Sequence, residues 1–168
     1  MENGAENQHE NPELDSLIGK LTVMRDIVET PVKTYGNVSP EYNISWSANP
    51  DTIMTATQAS SSILSFVRQN PRELSEVIKK LIESGSYFES IKNIQPGSDM
   101  STPTSDEVDG EMSSRMVTET IMGIGETALP FLRESKERYA KDMVGKINRE
   151  IMNKKIKRVF ENLLPRKK

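Results

Sequence analysis

Three asparagine–proline pairs constrain the fold of this chain more than any other feature. Asn11-Pro12, Asn49-Pro50 and Asn70-Pro71 each put a favoured N-cap residue directly before the one helical position that suits proline. The asparagine side chain can accept from amides that a first helical turn leaves unpaired, and proline already holds the φ angle that the helix needs. Apolar residues at alternating three- and four-residue spacing follow each pair. After the first they are Leu14, Leu17, Leu21, Met24 and Val28, with Glu13 and Asp15 at the positive end of the helix dipole. This stripe predicts one helix up to Pro31 and an oligomerisation seam along it. The second pair opens a helix through about Gln69, with Ile53, Ala56, Ser60, Ile63, Leu64 and Val67 on one side. The third opens a helix with Leu74, Val77, Ile78, Leu81 and Ile82 as its stripe, closed by Ser84-Gly85. A capping box at Ser86–Glu89 then leads to Ile91 and Ile94. The three pairs are unevenly spaced, so they are independent caps and not a repeat.

Between these helices, residues 31–49 read as a loop punctuated by Pro31, Gly36 and Pro40, with Trp46 packed on the helical core or Tyr42–Trp46 forming a short extended piece. Residues 95–111 hold Pro96, Gly97, Pro103 and Gly110 among serines, threonines and acids, and apolar residues almost vanish. The expected fold is all-α. It comprises a disordered acidic tail (1–11), a small helical bundle (12–94), an acidic flexible linker (95–111) and a C-terminal helical segment (112–168). That last segment carries Met112, Met116, Val117, Ile121 and Ile124, a kink or new start at Pro130, and a long or kinked basic amphipathic helix at its end. In that helix Met143, Val144, Ile147 and Ile151 share one side. Met152, Ile156, Val159, Phe160 and Leu163 lie about a third of a turn further round, at roughly 100° per residue. The wrapped surface suits a helix touching two partners, or two helices broken near Asn148–Asn153.

Catalytic chemistry finds little support. The chain has no cysteine, which excludes disulfides, thiolate metal sites and cysteine nucleophiles. Its one histidine, His9, lies in the acidic tail, too isolated to build a triad or a rigid metal site. There is no HExxH, no P-loop and no nucleophile elbow. Gly123-Ile124-Gly125 lacks the third glycine and the preceding strand of a dinucleotide fingerprint. Setting Gly110 at position six of a calcium loop puts Met116 where the bidentate carboxylate belongs, so that reading fails. No enzymatic activity, cofactor, metal or small-molecule substrate is expected. The acidic, polar start lacks the apolar stretch of a secretory signal, and no run is long and apolar enough to span a membrane. An intracellular location, cytoplasmic or nuclear, is expected.

Charge is the remaining signal. The chain has a net charge of −3, yet residues 141–168 carry ten bases against three acids. Residues 1–30 hold seven acids and two bases, and residues 99–126 hold seven acids against Arg115. The basic cluster comprises Lys146, Arg149, Lys154, Lys155, Lys157, Arg158, Arg166, Lys167 and Lys168, with Lys141 before it. Such a helix can neutralise phosphates along RNA or DNA without reading sequence, since aromatic stacking residues are absent apart from Phe160. It can instead lie on an anionic membrane or dock to an acidic protein, or be a solvated face. The expectation is a non-enzymatic, homo-oligomeric assembly or adaptor protein whose basic end binds an anionic partner, nucleic acid first. Phosphorylation of Thr104 or nearby serines would deepen the charge of the linker.

Overall fold

The computed structural model describes residues 11–34, 37–92 and 108–163. The fold is all-α, with one hairpin attached. In chain order it comprises α1 (Pro12–Gly19), β1 (Arg25–Thr34), β2 (Asn37–Ala48), α2 (Pro50–Gln69), α3 (Leu74–Ile91), α4 (Gly110–Ile124), α5 (Leu129–Glu134) and α6 (Arg138–Leu163). Short 3-10 turns at Pro71–Glu73 and Gly125–Ala128 lead into α3 and α5.

Two of the Asn–Pro starts cap as their residues dictate. Asn11 accepts from Leu14 N at 3.2 Å, and Asn49 accepts from Asp51 N at 2.9 Å and Thr52 N at 3.0 Å. Asn70 behaves differently. Its Nδ2 donates back to Phe66 O at 3.1 Å, closing α2, and Pro71 opens the 3-10 turn before α3.

The first helix is much shorter than its apolar stripe. It stops at Gly19, and Arg25–Thr34 is a strand. The reason is competition for backbone groups. Val23 N donates to Ser113 Oγ at 2.8 Å, and Val23 O accepts from Asp109 N at 2.8 Å. Met24 N donates to Thr52 Oγ1 at 3.1 Å, and Met24 O accepts from Asn49 N at 2.8 Å. The starts of α2 and α4 thus satisfy residues 23 and 24 in extended form, where β-branched Thr22, Val23, Ile27 and Val28 are at ease. The seam Leu14, Leu17, Leu21, Met24, Val28 is therefore not one helical face. Leu14 and Leu21 are fully buried in the chain's own core, and Val28 is an exposed strand residue.

The expected loop 31–49 is mostly the hairpin β1–β2. Its antiparallel register pairs Arg25 with Ala48, Ile27 with Trp46 and Pro31 with Tyr42, shifts between Pro31 and Lys33, and resumes with Lys33 opposite Val38. Trp46 is half-buried in β2 and lies outside the helical core.

The core is shared across the linker. α4 packs on both α2 and α3, and α6 packs on α3, α4 and α5. Ile63, Leu81, Ile121, Leu132, Met143 and Ile147 belong to one buried cluster. The expected split into 12–94 and 112–168 is thus not a split of the core. The acidic tail 1–10, with His9, and linker residues 95–107, with Thr104, lie outside the described residues. The linker's end is structured: Val108 bridges to Met24, and Asp109 caps α4 by accepting from Met112 N at 2.9 Å. Asp109 also faces Arg25 at 3.6 Å, an ion pair only 15–16 % exposed.

Ser84-Gly85 does not end α3, which runs on through the expected capping-box turn to Ile91. Gly85 is buried there because the ring of Tyr139 lies against its backbone. Gly125, at φ 73°, ends α4 in a conformation that only glycine adopts freely.

Candidate interaction helix

The candidate site is the far half of α6. Along its near half, Ala140, Met143 and Ile147 are buried and Ile151 is half-buried, one residue per turn facing the core. The same line continues with Lys154, three residues after Ile151, and Arg158, four residues after that. Charge thus replaces apolar residues along that line where the helix leaves the body. Every residue from Met152 to Glu161 is exposed.

The helix is continuous through Leu163, so there is no break near Asn148–Asn153. The 100° step can therefore be carried through it. The second apolar set lies roughly 150° from the first, midway between a third and a half of a turn. Met152, Ile156, Val159 and Phe160 consequently point away from the core side, at 62, 47, 56 and 63 % exposure. Leu163 continues their register. The projecting piece, Met152 to Leu163, is about 18 Å long at about 1.5 Å per residue.

The bases flank and oppose this stripe. Lys154 pairs with Glu150 at 2.5 Å and Lys157 lies 3.9 Å from Glu161, both i,i+4 pairs on an exposed helix. Such pairs support a helix by only about 0.3–0.5 kcal/mol each. Lys155 and Arg158 have no ion pair among the described residues. Arg149 is exposed, and its Nε donates to Gly145 O at 3.3 Å within the helix. Arg166, Lys167 and Lys168 lie outside the described residues.

Lys146 is set apart from this group. It lines a polar cleft between α3, α4 and α6 with Glu89, Lys92 and Ser114. Burial pushes the Glu89 carboxyl up. Hydrogen bonds from Lys92 and Ser114, with the charges of Lys92 and Lys146, outweigh that and hold it below its ordinary value. Next to this cleft Tyr139 OH and Thr118 Oγ1 are 2.9 Å apart in a hydrogen bond. Burial pushes the Tyr139 phenol up to about 12, helped by the charge of Glu89 and opposed by the Thr118 bond.

A second groove, of about 330 Å³, runs between α3 and α5. The half-buried Phe131 supplies its accessible apolar floor, over the buried Ile78 and Ile82, and exposed Glu83, Glu134 and Glu137 rim it. Sequence reasoning missed this groove. Its acids come from three different elements or joints, so no local run of charge announces them. The outward apolar stripe, by contrast, was visible as a wrap of the α6 surface.

Among the described residues no group of three or more His, Cys, Asp or Glu side chains could hold a metal ion, and no helix is long and apolar enough to cross a membrane. Comparison with protein-family models, with curated proteins and with solved structures finds no match to this chain.

Proposed function

We propose that this chain is a non-enzymatic assembly or adaptor module that docks on an anionic partner through the projecting end of α6, using charge and apolar contact together. The observation that carries this reading is the shift of the apolar face by roughly 150° beyond Ile151. It leaves Met152, Ile156, Val159 and Phe160 uncovered beside four bases. Contiguous exposed apolar residues on a folded protein mark interaction sites, and helix-in-groove recognition uses anchors at this spacing.

Nucleic acid is the second reading, favoured by Lys155 and Arg158, which have no ion pair among the described residues. A phosphate backbone accounts for the bases but leaves the apolar stripe in water. An anionic bilayer engages both, with the stripe in the interfacial region and the bases at the headgroups.

The absence of cysteine gives a clean test. An Asn153→Cys variant carries one attachment point for an environment-sensitive fluorophore beside the stripe. It is titrated with a duplex oligonucleotide, with phosphatidylserine vesicles and with unlabelled protein. A blue-shifted emission with one of these, weakened by salt, is the expected result. An emission unmoved by all three would sink the reading.

A further inference from the structure

We infer that the partner of the α6 end is a second copy of this chain, which receives it in the acid-rimmed groove between α3 and α5. This rests on the reading of α6 as a docking element and names its occupant.

The first argument is charge. Residues 152–168 carry seven bases and one acid, a net +6. The whole chain is −3, so the other 151 residues carry −9. Among the described residues, the projecting end 152–163 carries four bases against Glu161, a net +3, and the rest carries fifteen bases against eighteen acids, a net −3. A cationic end thus projects from a weakly anionic body. A polyanion attracted to the end is repelled by the body. A second copy presents the end to a body of opposite sign, so attraction is mutual.

The second argument is the match between the two surfaces. The groove between α3 and α5 combines an apolar floor with carboxylates on its rim. Glu83, Glu134 and Glu137 form no ion pair among the described residues, and Lys79 is the one base beside them in the groove. Its volume of about 330 Å³ admits a large side chain such as Phe160, with Ile156 one turn before it. Lys155 and Lys157, on either side of that stripe, then face the rim. The cleft at Glu89, Lys92 and Lys146 has neither property, because its lining is polar and of mixed sign.

The third argument is reach. α6 is one continuous helix whose near half is packed on α3 and α5. Its far half projects along the same rigid axis and cannot turn back into its own groove. The contact is therefore heterologous, end of one copy into groove of the next, and propagates as a ring or an open chain. A partner segment of about twelve residues lies at the low end of stable interface sizes, so association depends on concentration and salt.

The test is charge-swap complementation, followed by light scattering with up to roughly 1 mM protein at low salt. One variant carries Lys154→Glu, Lys155→Glu, Lys157→Glu and Arg158→Glu. The other carries Glu83→Lys, Glu134→Lys and Glu137→Lys. Circular dichroism and a single cooperative melt confirm that both fold. The wild type should reach at least twice the 18.9 kDa of one chain. Each variant alone should stay at that mass, and the equimolar mixture should assemble again. A wild type that stays monomeric overturns the inference, as does a mixture that fails to assemble when both variants fold. If the Asn153→Cys label responds to the oligonucleotide or the vesicles but not to unlabelled protein, self-docking fails and the adaptor reading stands. If it responds to nothing, both fail together.

Discussion

The ring of Tyr139 fills the space that a side chain on Gly85 would need. A Cβ built at position 85 lies 2.2 Å from Tyr139 Cε1 and 2.3 Å from Cζ, far inside the closest approach of non-bonded carbons. The glycine sits inside α3, where it costs about 1 kcal/mol against alanine in helix propensity. That cost is offset by letting α6 seat a ring that is 6 % exposed.

Gly85→Ala should therefore destabilise the fold although alanine is the better helix former. The expected loss is about 1–3 kcal/mol, the range for overpacking a filled core, read as a lower urea midpoint. In a Tyr139→Leu background the same substitution should cost clearly less. Equal losses in the two backgrounds would show that the ring is not what makes glycine necessary.

Tyr139 also sets an alkaline limit on stability. Its phenol ionises near 10 when exposed and at about 12 in the fold, raised by burial. The unfolded chain thus loses this proton first as pH rises. The stabilisation is whole below about pH 10 and is lost between about 10 and 12, up to about 2–3 kcal/mol in all. Chemical denaturation at pH 9 and pH 11 should show a steeper decline in the wild type than in Tyr139→Phe. Parallel declines would place the alkaline loss on other groups.

Ser113 holds the joint where the hairpin leaves the helices. Its hydroxyl accepts from Val23 N at 2.8 Å, and both residues are fully buried. Ser113→Ala should leave that amide without a partner, a loss of about 1–3 kcal/mol. Asn49→Ala at the same joint removes the α2 cap and the Nδ2 bonds to Asp26 at 2.8 and 3.0 Å. It should cost about 0.5–2 kcal/mol. Thermal melts of both variants check this, and an unchanged melt for Ser113→Ala would show that the extended form of residues 22–24 is held by other means.

The helices that were legible in the sequence are those whose start and stripe agree. Asn49-Pro50 with Ile53, Ala56 and Ile63 gave α2 almost to the residue. The stripe through Val28 failed because the competing hydrogen bonds come from Thr52, Asn49, Ser113 and Asp109, remote in sequence from Val23 and Met24. Gly85 failed for the same kind of reason: as a helix stop it is a local signal, and its actual role depends on Tyr139, which lies on another helix. At the candidate site the apolar residues and bases were legible as two patterns on one helix. Which half meets the core was not, because that depends on where α3 and α5 end. The acid-rimmed groove was invisible, since only packing brings Glu83 beside Glu134 and Glu137.

Two isoleucines nine residues apart on α6 separate the buried half from the projecting half. Ile147 is 2 % exposed and belongs to the core cluster, whereas Ile156 is 47 % exposed and lies on the opposite side of the helix. Ile147→Ala removes packed methyl groups and leaves a cavity, so a loss of about 2–5 kcal/mol is expected. Ile156→Ala removes the same atoms from a side chain that touches little. It should shift stability by less than about 0.5 kcal/mol, and alanine's helix propensity favours it. Urea denaturation of the two variants measures the contrast directly. A large loss from Ile156→Ala in dilute protein would place the stripe in contact with the chain's own body. A loss that appears only as the protein is concentrated would instead follow the docking of one copy on another, because a bound partner stabilises the folded state in proportion to its occupancy.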